Sequence, residues 1–426
     1  MLKFKAMNLP QTNLAAKIKK GAWSINGGFI IIVILSFALG WQLGHNDYQV
    51  QLKNYQPDIT VVNPQPGQGS AAMDFSGNSL FGQTLKMLTT KYIDKTALDT
   101  QKLYYGAIQG MVAAVGDPYT VFLPPSAQKT AQEQLGGSFE GVGMELGYDK
   151  DNRLTVIAPL KDTPAEKAGV KPGDLILSID GRDTTNISLP EAVGLIRGPK
   201  GTQVTLSLYG ENDSKPRQVQ ITRDTIIVKT VDYTLKTTPS GKKIAYIRLS
   251  EFGERTDQEW DEAISQALAD APQGVIVDVR NNPGGYLEDA VYISSEFLDK
   301  GDVVIEQDAQ GNQTKLPIIR AGKMLNLPLE VLINKGSASA AEIFSGAMQD
   351  HKRGTLIGEQ SFGKGTIQSA EDMPDNTGLH ITTAKWLTPD GRWIHHIGLT
   401  PDVKVVMDSN DATKDPQLDK ALQLFN

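Results

Sequence analysis

The chain of 426 residues contains no cysteine. Disulfides, zinc–thiolate sites and a cysteine nucleophile are therefore excluded. Histidine is scarce, with five in the whole chain, two of them adjacent at His395-His396. No HExxH or comparable spacing exists, so a metalloenzyme is not expected. An excess of basic residues is also missing. The formal net charge of −7 argues against a nucleic-acid binder, which usually carries a basic surface. Such a length calls for two or three domains.

Long apolar runs are absent but for one. Residues 1–20 hold Lys3, Lys5, Lys17, Lys19 and Lys20 and no acidic residue, and no charge occurs from Gly21 to Gly44. The centre reads 29-FIIIVILSFALGW-41. A helix over the uncharged stretch 21–44 is long enough to cross a hydrocarbon core of roughly 30 Å. Trp23 and Trp41 stand near its ends, where aromatic rings favour the interface. The expectation is a basic cytoplasmic tail over 1–22, a transmembrane helix over 23–44, and export of everything after it. The competing reading is a cleaved signal peptide, with Ala38-Leu39-Gly40 as the small-x-small site.

Residues 45–78 read as a linker, with 62-VNPQPGQGSAAM-73 rich in Pro, Gly and Gln. Residues 79–136 read as a small helical subdomain for packing or dimerisation. Its second helix starts near Asp99 and stops at Gly116-Asp117-Pro118. From 137 to 230, strand-like runs alternate with turns, and 189-LPEAVGLIRG-198 reads as a helix. From 231 to 426 the pattern becomes α/β. The buried strand 275-VIVDVR-280 runs into 281-NNPGG-285 and a helix, and 329-LEVLIN-334 runs into 335-KGS-337 and another.

Two stretches carry candidate chemistry. In 336-GSASAAEIFSGAMQDH-351, Ser339 falls where a strand–turn ends and a helix begins. The free N–H groups of the first helical turn could there stabilise an oxyanion. Ser339 with Glu342 is equally a capping box, and the residues alone leave both readings open. The second stretch, 358-GEQSFGKGTIQ-368, imitates a phosphate-binding loop. Gly365 stands where that loop needs Ser or Thr for Mg²⁺, and the residues after it alternate like a strand. A buried lysine has another use. Desolvation lowers its pKa, and the neutral amine can take a serine proton.

The ordered motifs 278-DVRNNPGG-285, 334-NKGSASAAEIFSGAMQD-350 and 361-SFGKGTIQ-368 resemble the carboxyl-terminal processing peptidases, or tail-specific proteases. The resemblance runs over about 79–405, including 116-GDPYTVFLPP-125, 138-SFEGVGMEL-146, 382-TTAKWLTPDGR-392 and 398-GLTPDV-403. It implies a multidomain α/β protein: one N-terminal transmembrane helix, a helical subdomain, a PDZ domain built from a small barrel-like sheet and two helices, and a layered α/β protease domain. It implies a Ser–Lys dyad, with Ser339 as nucleophile, Lys364 as base 25 residues later, and Gln368 orienting the amine. Ser337 is the alternative register for the nucleophile. The oxyanion donors would be the N–H groups of Ala340 and Gly285. Ala341 stands where many relatives carry Ser.

In the PDZ-like module, Gly141-Val142-Gly143-Met144 fits the loop that grips a terminal carboxylate, while an added strand pairs with the sheet edge. The same glycines would also serve a plain strand bend. Arg197, at the end of the second helix, is a regulatory candidate expected to touch the protease domain. The expected partners are protein substrates with apolar C-termini, the membrane, a second copy of the chain and a regulatory adaptor. No cofactor, metal or nucleic acid is expected. The rivals are an inactive membrane-tethered PDZ adaptor or chaperone, and an NTPase using Lys364.

Overall fold

The computed structural model describes residues 48–53, 56–61, 77–210, 213–407 and 414–426. The expected membrane span, 23–44, lies outside the described residues. Among the described residues no helix is long and apolar enough to cross a membrane. The chain divides into two compact units between Thr100 and Gln101.

The first unit contains an antiparallel hairpin, β1 (Tyr48–Lys53) and β2 (Gln56–Val61), within the stretch read as linker. It also contains helix α1 (Leu80–Lys91), capped by the Ser79 hydroxyl, which accepts the Gly82 N–H at 3.0 Å. The second unit opens along α2 (Thr100–Ala113). Strand β3 (Val121–Leu123) and helix α3 (Pro125–Leu135) follow, the latter with proline in its first turn, where no N–H is needed.

A short antiparallel ribbon leads in and out of the next module: β4 (Ser138–Gly141) pairs with β11 (Asp224–Ile227). Between them lie β5 (Met144–Tyr148), β6 (Leu154–Pro159), α4 (Pro164–Lys167), β7 (Leu175–Ile179), β8 (Arg182–Asp183), α5 (Leu189–Ile196), β9 (Gln203–Tyr209) and β10 (Arg217–Thr222). The sheet order is β10-β9-β7-β6-β5, with β8 on β7. Val156, Ile176, Ile179, Val204, Leu206 and Leu208 pack inward against Ala192 and Ile196 of α5. The Ser188 hydroxyl caps α5, and Pro190 sits in its first turn.

The α/β part is a sheet of order β12 (Val231–Thr237), β13 (Lys243–Leu249), β14 (Gly274–Asp278), β17 (Leu329–Ile333), β18 (Thr355–Gly358) and β21 (Val403–Lys404). The pairs from β13 onward are parallel. Alternation sorts the side chains to two faces. Ala245, Ile247, Val275, Val277, Val331 and Ile333 meet α6 (Thr256–Ala269), α7 (Leu287–Ser294) and α8 (Ala340–Asp350). Ile244, Ile276, Leu332 and Ile357 meet Ala421 and Phe425 of the segment carrying α9 (Pro416–Leu424). Both faces are covered, so the central strands are continuously apolar. The helix after 281-NNPGG-285 is short: it ends at Ser294, and Phe297 and Leu298 join the core from the following loop.

A second sheet lies over this core with order β16 (Gln313–Pro317), β15 (Asp302–Asp308), β20 (Thr377–Leu387) and β19 (Thr366–Met373). Strand β3 joins it by pairing with β20.

Candidate active site

Three loops at the carboxyl ends of parallel strands build the site. The first leaves β14 as 278-DVRNNPGG-285. Arg280 fixes its start by bonding Asp278, Asp415 and Gln417, while the Tyr246 hydroxyl donates to Asp278 at 2.6 Å. Asn282 is fully buried. Its amide donates to the Leu249 carbonyl, and its side-chain oxygen accepts the Gly284 N–H. Its backbone carbonyl accepts the Ala338 N–H, which ties this loop to the next. Gly284 and Gly285 have φ of 104° and 135°. A Cβ at Gly284 would lie 2.7 Å from that of Ser339, and one at Gly285 only 1.7 Å from the Phe252 carbonyl oxygen. Only glycine permits both the conformation and the approach.

The second loop leaves β17 and reaches Ser339, the N-cap of α8. Ser339 adopts φ 53°, ψ −119°, a conformation costing on the order of 1–3 kcal/mol for a residue with a side chain. The strain points Ser339 into a cleft of about 330 Å³. Ser337 does not line that cleft: its buried hydroxyl donates to the Val279 carbonyl at 2.8 Å and accepts the Asn334 N–H at 3.0 Å. In the first turn of α8, Ala341 and Glu342 donate to the carbonyls of Ala338 and Ser339. Among the described residues, the N–H groups of Ala340 and Gly285 make no intramolecular hydrogen bond, and both residues line the cleft.

The third loop runs from β18 to β19 and carries Lys364. Strand β19 follows the lysine directly, which is the wrong element for a phosphate-binding loop. The loop is pinned from several sides. Trp386 Nε1 donates to the Lys364 carbonyl and Trp393 Nε1 to that of Gly365, both at 2.9 Å. His396 N–H donates to the Gly363 carbonyl, and Gly365 N–H to His395 Nδ1. His395-His396 thus shapes the lysine loop.

Glu342 joins the second loop to the third. Its fully buried carboxylate accepts the N–H of Ser339 (3.0 Å), Gly363 (2.7 Å) and Lys364 (2.8 Å) and the hydroxyl of Ser361 (2.5 Å). Burial raises its pKa, and these four bonds oppose the shift. In the sequence Glu342 reads only as a helix cap. The Ser361–Lys364 donors lie beyond α8 and β18, so no local pattern signals the other bonds.

Burial lowers the Lys364 pKa, with the charges of Asp117 and Glu342 opposing. Its Nζ lies 4.9 Å from the centroid of the Tyr119 ring. Among the described residues no hydrogen bond joins it to Ser339 or Gln368. The Gln368 amide instead donates to Thr366 and Thr382 hydroxyls, each at 3.0 Å, so the expected Gln368–amine bond is not made in this state. Ser339, Ala340, Gly285, Lys364 and Gln368 nevertheless all line one cleft. Its apolar wall comes from Leu287, Leu316, Ile343, Ile367 and Trp386.

A second groove, about 120 Å³, lies between α5 and the turn preceding β5. Val142, Gly143, Met144, Leu189, Val193, Ile196 and Arg197 line it, while Gly141 ends β4 outside it. The carbonyls of Val142 and Gly143 accept the Ala165 and Leu160 N–H groups. Their own N–H groups, among the described residues, have no intramolecular acceptor. Arg197 does not reach the Ser339 cleft. It bonds Glu133 of α3 at 2.7 Å and stacks over the Phe139 ring at 4.4 Å. Helix α3 makes the onward contacts: Gln128 and Gln132 donate to Asp372 of β19, and Gln134 to Glu251.

Residues 243–405 match the model of peptidase family S41, residues 155–209 that of a PDZ domain, and residues 49–126 that of the activating protease CtpB N-terminal domain. The chain is 37% identical over 357 residues to the carboxy-terminal processing protease CtpA of Bacillus subtilis (strain 168), covering 83% of this chain and 74% of that one. The chain belongs to peptidase family S41. This S41 member is a serine-type peptidase of the carboxy-terminal processing kind with a PDZ domain. It is also 39% identical over 330 residues to a carboxy-terminal-processing protease of Bartonella bacilliformis, covering 76% of this chain and 74% of the relative. A putative S41 protease from Bacteroides fragilis shares the peptidase's fold, with a TM-score of 0.54, 17% identity, and coverage of 80% of this chain and 95% of that one.

Proposed function

We propose that this peptidase is a membrane-anchored, extracytoplasmic endopeptidase that binds the apolar C-terminal tails of protein substrates in its PDZ groove. It cleaves them by acyl-enzyme chemistry on a Ser339–Lys364 dyad. The observation that carries this reading is the meeting of Ser339, Lys364 and two unengaged N–H groups, Ala340 and Gly285, in one cleft.

Neutral Lys364 accepts the Ser339 proton as Oγ bonds the scissile carbonyl carbon, whose π electrons move onto its oxygen. The Ala340 and Gly285 N–H groups hold that oxyanion, a contribution worth about 10²–10³ in rate per donor. Collapse expels the amine product, which takes the proton from the lysine ammonium. Water then hydrolyses the ester by the same path. Gln368 orients the amine in this reading, once its hydrogen bonds to Thr366 and Thr382 rearrange.

In the PDZ groove, the Val142 and Gly143 N–H groups would receive the terminal carboxylate and the apolar wall the last side chain. The basic N-terminus and apolar run support an anchor with its N-terminus in the cytoplasm. Exposed Leu80, Leu85, Met87 and Leu88 on α1 support self-association through that helix. Cleavage of an unfolded protein with an apolar C-terminus tests the dyad. Ser339→Ala and Lys364→Ala should each abolish it while leaving tail binding intact. Equal cleavage by wild type and both variants would leave an inactive adaptor as the better reading.

A further inference from the structure

Strand β3 brings a tight turn, 116-GDPY-119, to the lysine from 245 residues upstream in the chain. The turn is held internally by Asp117, whose carboxylate accepts the Tyr119 N–H at 3.0 Å and the Thr120 hydroxyl at 2.7 Å. It is clamped to β20 by the pairs Val121–His380, Phe122–Leu379 and Leu123–Gly378, and by the Thr382 N–H donating to Thr120 Oγ1. So fixed, the turn sets the Tyr119 ring 4.9 Å from Lys364 Nζ. The ring is itself supported edge-on by His395 at 6.3 Å, and His395 stacks on Trp393 at 5.2 Å. Among the described residues Lys364 Nζ has no hydrogen bond or ion pair, and the Tyr119 ring is the aromatic face it lies over.

An aromatic face attracts an ammonium through its quadrupole and gives a neutral amine no such hold. We propose that Tyr119 is a positioning residue of the dyad: its ring, backed by Asp117, parks Lys364 as an ammonium, and release from the ring frees the amine for Ser339. The proposal rests on the Ser339–Lys364 reading above. On release the ammonium passes one proton to water, and the lone pair so uncovered accepts the Ser339 proton during attack. The charges facing Nζ divide by sign. Asp117 and Glu342 favour the ammonium; burial, and His380 when protonated, oppose it; Glu288 and Glu306 line the same cleft. The parked state accounts for a Gln368 amide bonded to threonines rather than to the amine.

The test compares full-length Tyr119→Phe, Tyr119→Leu and Tyr119→Met with wild type. One readout is the Lys364 titration by ¹³Cε NMR in a Ser339→Ala background, and the other is the acid limb of kcat/KM against pH. The ring favours the charged form, so removing it should move both downward by about half a unit to one unit. Cleavage below the limb then rises roughly 3- to 10-fold. Tyr119→Phe keeps the ring face and should leave both at the wild-type position. Leu and Met variants that titrate like wild type, or a Phe variant shifted as far as they are, would overturn the proposal. Met fills the site if Leu fails to fold, which thermal unfolding reports. Cleavage by Lys364→Ala would remove the dyad reading itself. An inactive Lys364→Ala with an unmoved titration would remove only the role of Tyr119.

Discussion

Replacing Glu342 by Gln keeps the shape of the side chain and removes the charge at the junction of two loops. In the native carboxylate, Oε2 accepts the Ser339 and Lys364 N–H groups, and Oε1 accepts the Gly363 N–H and the Ser361 hydroxyl. The glutamine NH₂ must occupy one of those places. At the Oε2 place it would face two backbone donors. At the Oε1 place it would face one, and Ser361 could turn to accept, since its oxygen already takes the Leu399 N–H. The second orientation costs less, yet it strands one buried N–H and weakens two charge-assisted bonds. An unsatisfied buried donor costs about 1–3 kcal/mol, and loss of charge assistance adds about 1 kcal/mol. Burial raises the carboxyl pKa, so the neutral amide recovers part of this. The expected loss of folding free energy is about 2–4 kcal/mol by denaturant unfolding. The kinetic effect should exceed it, because the bonds set the Ser339 turn against the Lys364 turn, and a displacement near 1 Å can cost about 10²-fold. Side-by-side measurement of kcat/KM and unfolding midpoint decides the matter. Wild-type kcat/KM in Glu342→Gln would refute Glu342 as the link between the loops.

Gly284→Ala puts a methyl 2.7 Å from the Ser339 Cβ at a φ of 104°, so cleavage should fall at least about 10²-fold with tail-peptide binding unchanged. Arg197→Ala removes the Glu133 bond and the Phe139 stack that join the PDZ groove to α3. Stimulation of cleavage by tail peptides should change, and a variant identical to wild type with and without peptide would dismiss the coupling. Asp289 is nine-tenths buried, and burial, reinforced by the charge of Asp257, raises its pKa to about 7. A raised carboxyl favours the fold below its unfolded pKa of about 4, and that advantage is lost as pH rises through about 7. Relative to wild type, Asp289→Asn should therefore gain roughly 2–4 kcal/mol between pH 4 and pH 8 in urea unfolding. Equal pH dependence of the two proteins would contradict this.

Much of the peptidase was legible in its residues because the signals are local. The period of 275-VIVDVR-280, the glycine turn after it and the helix after that follow from backbone sterics and burial within a short window. Ser339 at a strand-to-helix junction, and the failure of Gly365 to serve a phosphate loop, are likewise matters of neighbouring residues. The tertiary structure decided what depended on distant segments. Four donors from two loops converge on Glu342, so a residue that scans as a cap organises the cleft. Arg197 turned to Glu133 because α3 packs beside the groove. The amine of Lys364 lies over Tyr119 because β3 adds to an edge of β20, a pairing no short window contains. Local chain chemistry specifies which side chains are available and on what element. Long-range packing, which has no sequence period, sets which of them touch.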